Sequence, residues 1–112
     1  MRRAALGRAG EDAAAAYVAS LGFHVVARNL RGPGGEIDIV ARDGQTYVFI
    51  EVKTRASRAF GRALAAVDAR KRARIRAVAA DYLQFVAPQA CARFDVLAID
   101  GCDMCLHRGA FT

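Results

Sequence analysis

Four side chains between positions 36 and 53 have the types needed for metal-assisted phosphate chemistry: Glu36, Asp38, Glu51 and Lys53. They lie in Gly35-Glu36-Ile37-Asp38-Ile39-Val40 and Phe49-Ile50-Glu51-Val52-Lys53-Thr54-Arg55, with Asp43-Gly44 between them. Asp-Gly between two alternating apolar segments predicts a hairpin with a two-residue loop. A loop at Asp43-Gly44 sets Arg42 against Gln45, Asp38 against Phe49 and Glu36 against Glu51. Side chains alternate along a strand, so Glu36, Asp38, Glu51 and Lys53 project from one face. Ile37, Ile39, Ile50 and Val52 project from the other. Like charges facing each other across strands cost up to ~1 kcal/mol per pair. A divalent cation removes that conflict, and hard carboxylate oxygens suit Mg²⁺ or Mn²⁺. Beside them the Lys53 ammonium could orient an attacking water or offset charge developing on a phosphate. Glu-x-Lys alone is a weak signal, because an ordinary ion pair on a solvated sheet face has the same form. Three carboxylates and a lysine converging beside Gly32-Pro33-Gly34-Gly35 favour the metal site.

These residues need a scaffold, and the pattern around them predicts one. Leu6, Ala9, Ala13, Tyr17 and Leu21 recur at helical spacing over Arg3 to Leu21, and Gly22 is a stop signal. Phe23 to Arg28 reads as a strand, and Gly32-Pro33-Gly34-Gly35 as a loop. Glu36–Arg42 and Gln45–Thr54 are the hairpin strands. A long helical stripe then carries Leu64, Val67, Lys71, Ile75, Val78, Tyr82, Leu83 and Val86, with Asp68 a candidate cap inside it. Pro88 ends that helix. Arg93–Ile99 is a further strand, and Met104–His107 a short last one. The order α-β-β-β-α-β-(β) predicts an α/β fold: a mixed β-sheet flanked by helices, in one domain spanning 1–112.

The segment resembles the PD-(D/E)xK nuclease superfamily, with an acid in the first helix, an Asp on one strand and Glu-x-Lys on the next. Within it, Gly10-Glu11-Asp12, Arg28-Asn29, Gly35-Glu36-Ile37-Asp38, Phe49 to Arg55, Phe60-Gly61, Ala66-Val67, Lys71, Arg93-Phe94-Asp95-Val96 and Ala110-Phe111 resemble the YraN-like family. That resemblance spans nearly the whole chain without a large insertion. It implies a restriction-endonuclease-like fold, similar to that of Holliday-junction resolvases. It also implies that Asp38 and Glu51 bind Mg²⁺ or Mn²⁺, with the Val52 carbonyl as a further ligand and Lys53 catalytic. Glu11 would be the first-helix acid that completes the site, and Glu36 a ligand of a second metal or a supporting group. Ile37 stands where the superfamily has proline, which leaves the carboxylates in place.

The whole-chain balance agrees with a polyanionic partner. Seventeen basic residues against 11 acidic give +6, and hydrophobic residues make up 54%, a globular composition rich in alanine. Fifteen of the bases are arginine, whose planar fork suits phosphate, although a genome that favours Arg and Ala codons would give the same share. Arg55, Arg58 and Arg62 follow the second hairpin strand and could grip phosphates or belong to a solvated loop. Arg28 could contact backbone phosphate or satisfy loop carbonyls. Lys71 falls on the apolar stripe, from which it either reaches the carboxylates or snorkels out of the core. Arg70, Arg72, Arg74 and Arg76 read mostly as a solvated face along which a duplex could lie.

The longest apolar run, Ala13–Ala19, is too short for a membrane helix, and charges at Arg8, Glu11 and Asp12 break any secretory leader. The expected location is the cytoplasm, with no membrane partner. Cys91, Cys102 and Cys105 imply no disulfide framework, and Cys102 and Cys105 lack partners for a four-ligand zinc site. The expected activity is a metal-dependent DNA endonuclease acting on branched or structured DNA. The rivals are a non-catalytic nucleic-acid-binding module and a subunit dependent on a partner protein. The small core is compatible with homodimerisation, and targeting would fall to another protein.

Overall fold

Gly22 and Asp68 mark helix ends as the sequence predicts. The computed structural model describes residues 2–55 and 68–112. Helix α1 (Arg2–Ser20) precedes strands β1 (His24–Gly32), β2 (Gly35–Asp43) and β3 (Thr46–Arg55). Helix α2 (Ala69–Val86), β4 (Ala92–Asp100) and β5 (Asp103–Phe111) follow. The Leu21 and Gly22 amides donate to the Val18 and Ala19 carbonyls, and Gly22 takes φ +95°, a conformation open to glycine. At the start of α2, Asp68 accepts the Lys71 backbone N–H at 2.9 Å, the expected cap. The helix ends at Val86, two residues before Pro88.

The strands lie side by side in chain order. β3 and β4 are parallel and every other neighbouring pair is antiparallel. A parallel pair needs a crossover, which includes α2. The predicted architecture is therefore the observed one: a five-stranded mixed sheet with a helix on each face. On one face Ala14 and Val18 of α1 pack on Ile39, Val48, Ile50 and Leu97. On the other, Ile75, Val78 and Ala79 of α2 pack on Ile37, Val40, Phe49 and Val96. Each large side chain buried in this way stabilises the fold by about 1.5–3 kcal/mol. Phe94 stacks between Phe49 and Phe111, with ring centroids 5.6 and 5.2 Å away. Tyr47 and Phe49 meet Tyr82 edge-on, so both aromatics of the hairpin serve packing.

Several boundaries differ from expectation. The β2–β3 turn is Gly44-Gln45, and Arg42 pairs with Tyr47 and Asp43 with Thr46. Gly44 takes φ +64°, the demand of a two-residue turn with glycine first. The register thus moves by two residues, which leaves each residue of β3 on its expected face. Gly32 and Gly35 pair with each other, so the glycine-rich loop shrinks to Pro33-Gly34 and β1 continues to Gly32. The last strand runs nine residues. In α1 the alanine run hides the phase of the buried stripe: Ala14 and Val18 are buried, and Ala13 is exposed. Leu64 and Val67 lie outside the described residues, and Val86 is exposed.

Candidate active site

Strand β2 loses its simple alternation at Asp38. Ile39 packs on the α1 side and Ile37 on the α2 side, so Ile37 does not share a face with Ile39, Ile50 and Val52 as expected. Across the ladder, the pairs Arg28–Ile39 and Leu30–Ile37 bracket Asn29, which takes φ +53°. A left-handed residue turns its neighbours to opposite faces, and asparagine tolerates that conformation better than most residues. The recorded pairing of β2 with β3 stops at Ile39–Ile50. Beyond it, Asp38 Oδ2 accepts the backbone N–H of Val52 at 2.8 Å, so a carboxylate stands where a carbonyl would continue the ladder. The strands separate at the point where their acids meet.

Glu51 is 6% exposed, one of the two buried acids among the described residues. Its Oε2 faces two ammonium groups: Lys71 Nζ at 2.8 Å and Lys53 Nζ at 3.6 Å. Burial, then the neighbouring Lys71 ammonium, lowers the pKa of Lys53 against the opposing pull of Glu51 and Asp38. Burial also works against charge on Lys71, but its hydrogen bond to Glu51 and the charge of Glu51 raise its pKa overall. Asp38, Glu51, Lys53 and Lys71 thus form one electrostatic cluster. Glu51 and Lys71 also line a cleft of about 200 Å³ together with Gly34, Gly35, Glu36, Arg74 and Ile75. A larger hollow of about 450 Å³ near the β2–β3 turn has no acidic lining residue.

The other expected site residues sit apart or beyond description. Glu11 pairs with Arg28 at 3.9 Å, and Arg28 reaches Asp12 at 2.8 Å. Arg28 is therefore spent largely on α1 acids. Arg55 is the last residue of β3, and Arg58 and Arg62 lie outside the described residues. Arg74 is exposed, as expected of the solvated face, and it also lines the cleft, where Gly35 lets its Cβ approach to 3.2 Å of where a side chain would begin. For Lys71 the structure decides between reaching the carboxylates and snorkelling: it reaches them. A signal for this exists in the sequence, since Lys53 and Lys71 are the chain's two lysines among 15 arginines.

The second buried acid, Asp95, belongs to a different network. Its oxygens accept from the Arg93 guanidinium at 3.0 and 2.9 Å and from the Gly109 amide at 2.9 Å. Arg93 also reaches Asp43 at 2.9 Å, tying β4 to β5 and to the β2–β3 turn. This network secures the sheet and does not enter the cleft.

Among the described residues, no three His, Cys, Asp or Glu side chains form a ready cation cage. The donor set still fits a hard cation, because Mg²⁺ uses one or two carboxylates and keeps its remaining positions for water and phosphate. Asp38 and Glu51 could supply those carboxylates, with Glu36 across the cleft.

The family model described as "Uncharacterised protein family UPF0102" matches residues 10–99, which takes in α1 from Gly10, the whole cluster and β4 as far as Ile99. The chain belongs to UPF0102. The YraN-like resemblance is thereby borne out. A UPF0102 protein of Moorella thermoacetica is 50% identical over 101 residues, covering 88% of this chain and 83% of its own. One from Shewanella loihica is 47% identical over 105 residues, covering 94% and 92%. UPF0102 protein HEAR0176 of Herminiimonas arsenicoxydans is 45% identical over 103 residues, covering 91% and 82%. Among the described residues of this UPF0102 chain, no helix is long and apolar enough to cross a membrane.

Proposed function

We propose that this UPF0102 protein is a Mg²⁺- or Mn²⁺-dependent endonuclease of the PD-(D/E)xK type, cleaving phosphodiester bonds in branched or otherwise structured DNA in the cytoplasm. The observation that carries this reading is the meeting of Asp38, Glu51 and Lys53 where β2 and β3 separate, with Asp38 on the Val52 amide and Glu51 on Lys53. Asp38 and Glu51 would hold the cation, which supplies Lewis-acid polarisation of a phosphate and a water of lowered pKa. The Val52 amide fixes Asp38 in the gap between the strands. Lys53 Nζ, with its depressed pKa, donates a hydrogen bond to the incoming water or to a phosphate oxygen and offsets charge there. Arg74, on the rim of the cleft, supplies a guanidinium to an adjacent phosphate. Glu11 remains in this reading as an acid held beside the sheet by Arg28, not as a ligand.

The test is a panel of linear, nicked, flapped and four-way DNA incubated with the full chain and Mg²⁺ or Mn²⁺. Cleavage of at least one substrate is expected, and Asp38→Ala, Glu51→Ala and Lys53→Ala should each lower it at least ~100-fold. DNA affinity should change little in these variants. No cleavage of any substrate with either metal would remove the enzyme reading. The second reading, a nucleic-acid-binding module that keeps the fold, has one observation on its side. Glu51 already carries an ion pair at 2.8 Å.

A further inference from the structure

In a chain that uses arginine at 15 of 17 basic positions, both lysines stand against one carboxylate oxygen. That placement calls for an explanation beyond general basicity, which arginine supplies everywhere else. A lysine offers a compact, mobile point charge, whereas a guanidinium would clamp a carboxylate through a rigid planar fork. The two lysines also differ from each other. Lys53 rises from β3, the strand of Glu51 itself, and its side chain is 21% exposed. Lys71 comes from α2, is 36% exposed, and shares the open cleft with Arg74 and Glu36. It can therefore withdraw along the cleft without disturbing the strand.

Charge balance says when it must do so. Asp38 and Glu51 carry two negative charges, and Lys53 and Lys71 two positive ones. A divalent cation added to that set leaves an excess of two positive charges in a half-buried site. It would also need Glu51 Oε2, which Lys71 holds at hydrogen-bond distance. We propose that Lys71 competes with the divalent cation for Glu51 Oε2, so that Lys71 sets the metal affinity of the site and swings toward Arg74 and a substrate phosphate when the cation binds. Lys71 is thus a positioning residue acting through Glu51. The inference rests on the metal-dependent reading above and adds a built-in competitor to it.

Calorimetric titration of the full chain with Mn²⁺ tests the competition, using wild type, Lys71→Met, Lys71→Gln and Glu51→Gln. Circular dichroism verifies folding, and Lys71→Gln keeps a hydrogen-bond donor should Lys71→Met fold poorly. Loss of the ammonium should tighten Mn²⁺ binding at least tenfold in the folded variants, and adding Glu51→Gln should abolish the gain. Mn²⁺ binding by Lys71→Gln where wild type shows none would support the proposal equally. Unchanged or weaker Mn²⁺ affinity in the Lys71 variants, with wild type binding through Asp38 and Glu51, would overturn the Lys71 role and leave the nuclease reading standing. Absence of Mn²⁺ binding in every protein would overturn both.

Discussion

Asp68 shows how much one side chain can place. It caps α2 by accepting the Lys71 backbone N–H, so the residue that pairs with Glu51 is fixed at the first turn of its helix by a neighbour three positions earlier. That hydrogen bond, then the positive charges of Arg70 and Arg74, hold the Asp68 carboxyl below the ordinary aspartate value of 3.8. A depressed carboxyl contributes stability above its unfolded pKa and loses it as pH falls through the lower folded value. Asp68→Ala should therefore lower the thermal midpoint at pH 7, and its deficit against wild type should shrink as pH falls below the ordinary aspartate value of 3.8. Asp68→Asn should keep most of the cap at neutral pH and flatten the acid limb. Thermal unfolding followed by circular dichroism from pH 2 to 7 checks both, and a deficit in Asp68→Ala that is equal at all pH values would contradict the charged cap. The cap was legible in the sequence because Asp68 directly precedes a basic run. The destination of Lys71 was not legible in the periodicity, which gives a direction and not the length of reach across to a strand; only the rarity of lysine in the chain marks it.

At the scale of elements, glycine governs how closely α2 approaches the β1–β2 hairpin. A Cβ on Gly32 would stand 3.0 Å from Val78 Cγ1, and one on Gly35 3.2 Å from Arg74 Cβ. Glycine-rich loops invite the reading of an open approach for a ligand, yet here Gly32 and Gly35 are paired strand residues under a helix. Their smallness seats Lys71 and Arg74 over the cleft. Gly32→Ala should cost about 1–3 kcal/mol by overpacking, measured as a lower urea midpoint with unchanged slope. No shift in that midpoint would mean that the helix gives way without strain. Element types and order were readable from periodicity, and the faces of β3 survived a two-residue error in register because strand alternation repeats every second residue. The break at Asn29 and Asp38 was not readable. Alternation assumes a regular strand, and a left-handed asparagine with a carboxylate replacing a ladder bond leaves no mark in the apolar pattern.

For the whole molecule, a net charge of +6 is not spread evenly over the bases presented to a polyanion. Arg93 is committed to Asp95 and Asp43, Arg28 to Asp12, and Arg76 to the Thr112 carbonyl. Lys53 and Lys71 are held at Glu51. Arg70 and Arg74 are exposed near the α2 N-terminus, and Arg74 borders the cleft one helical turn from Arg70. A duplex laid across that end of α2 would bring a phosphate over the carboxylate cluster, which plain attraction of DNA to a basic surface would avoid. Under the proposed function, affinity would fall to arginines on the rim and the acids would be left for the scissile position. Duplex binding in the absence of divalent metal should weaken steeply between 50 and 200 mM salt, with a log–log slope near −0.9 per phosphate neutralised. Replacing Arg70 and Arg74 together with glutamine should make that slope shallower by about 2. Glu51→Gln should not make the slope shallower, because Glu51 neutralises no phosphate. Fluorescence anisotropy across a salt series reads all three. An unaltered slope in the double arginine variant would place the DNA track on another face and detach the cleft from substrate binding.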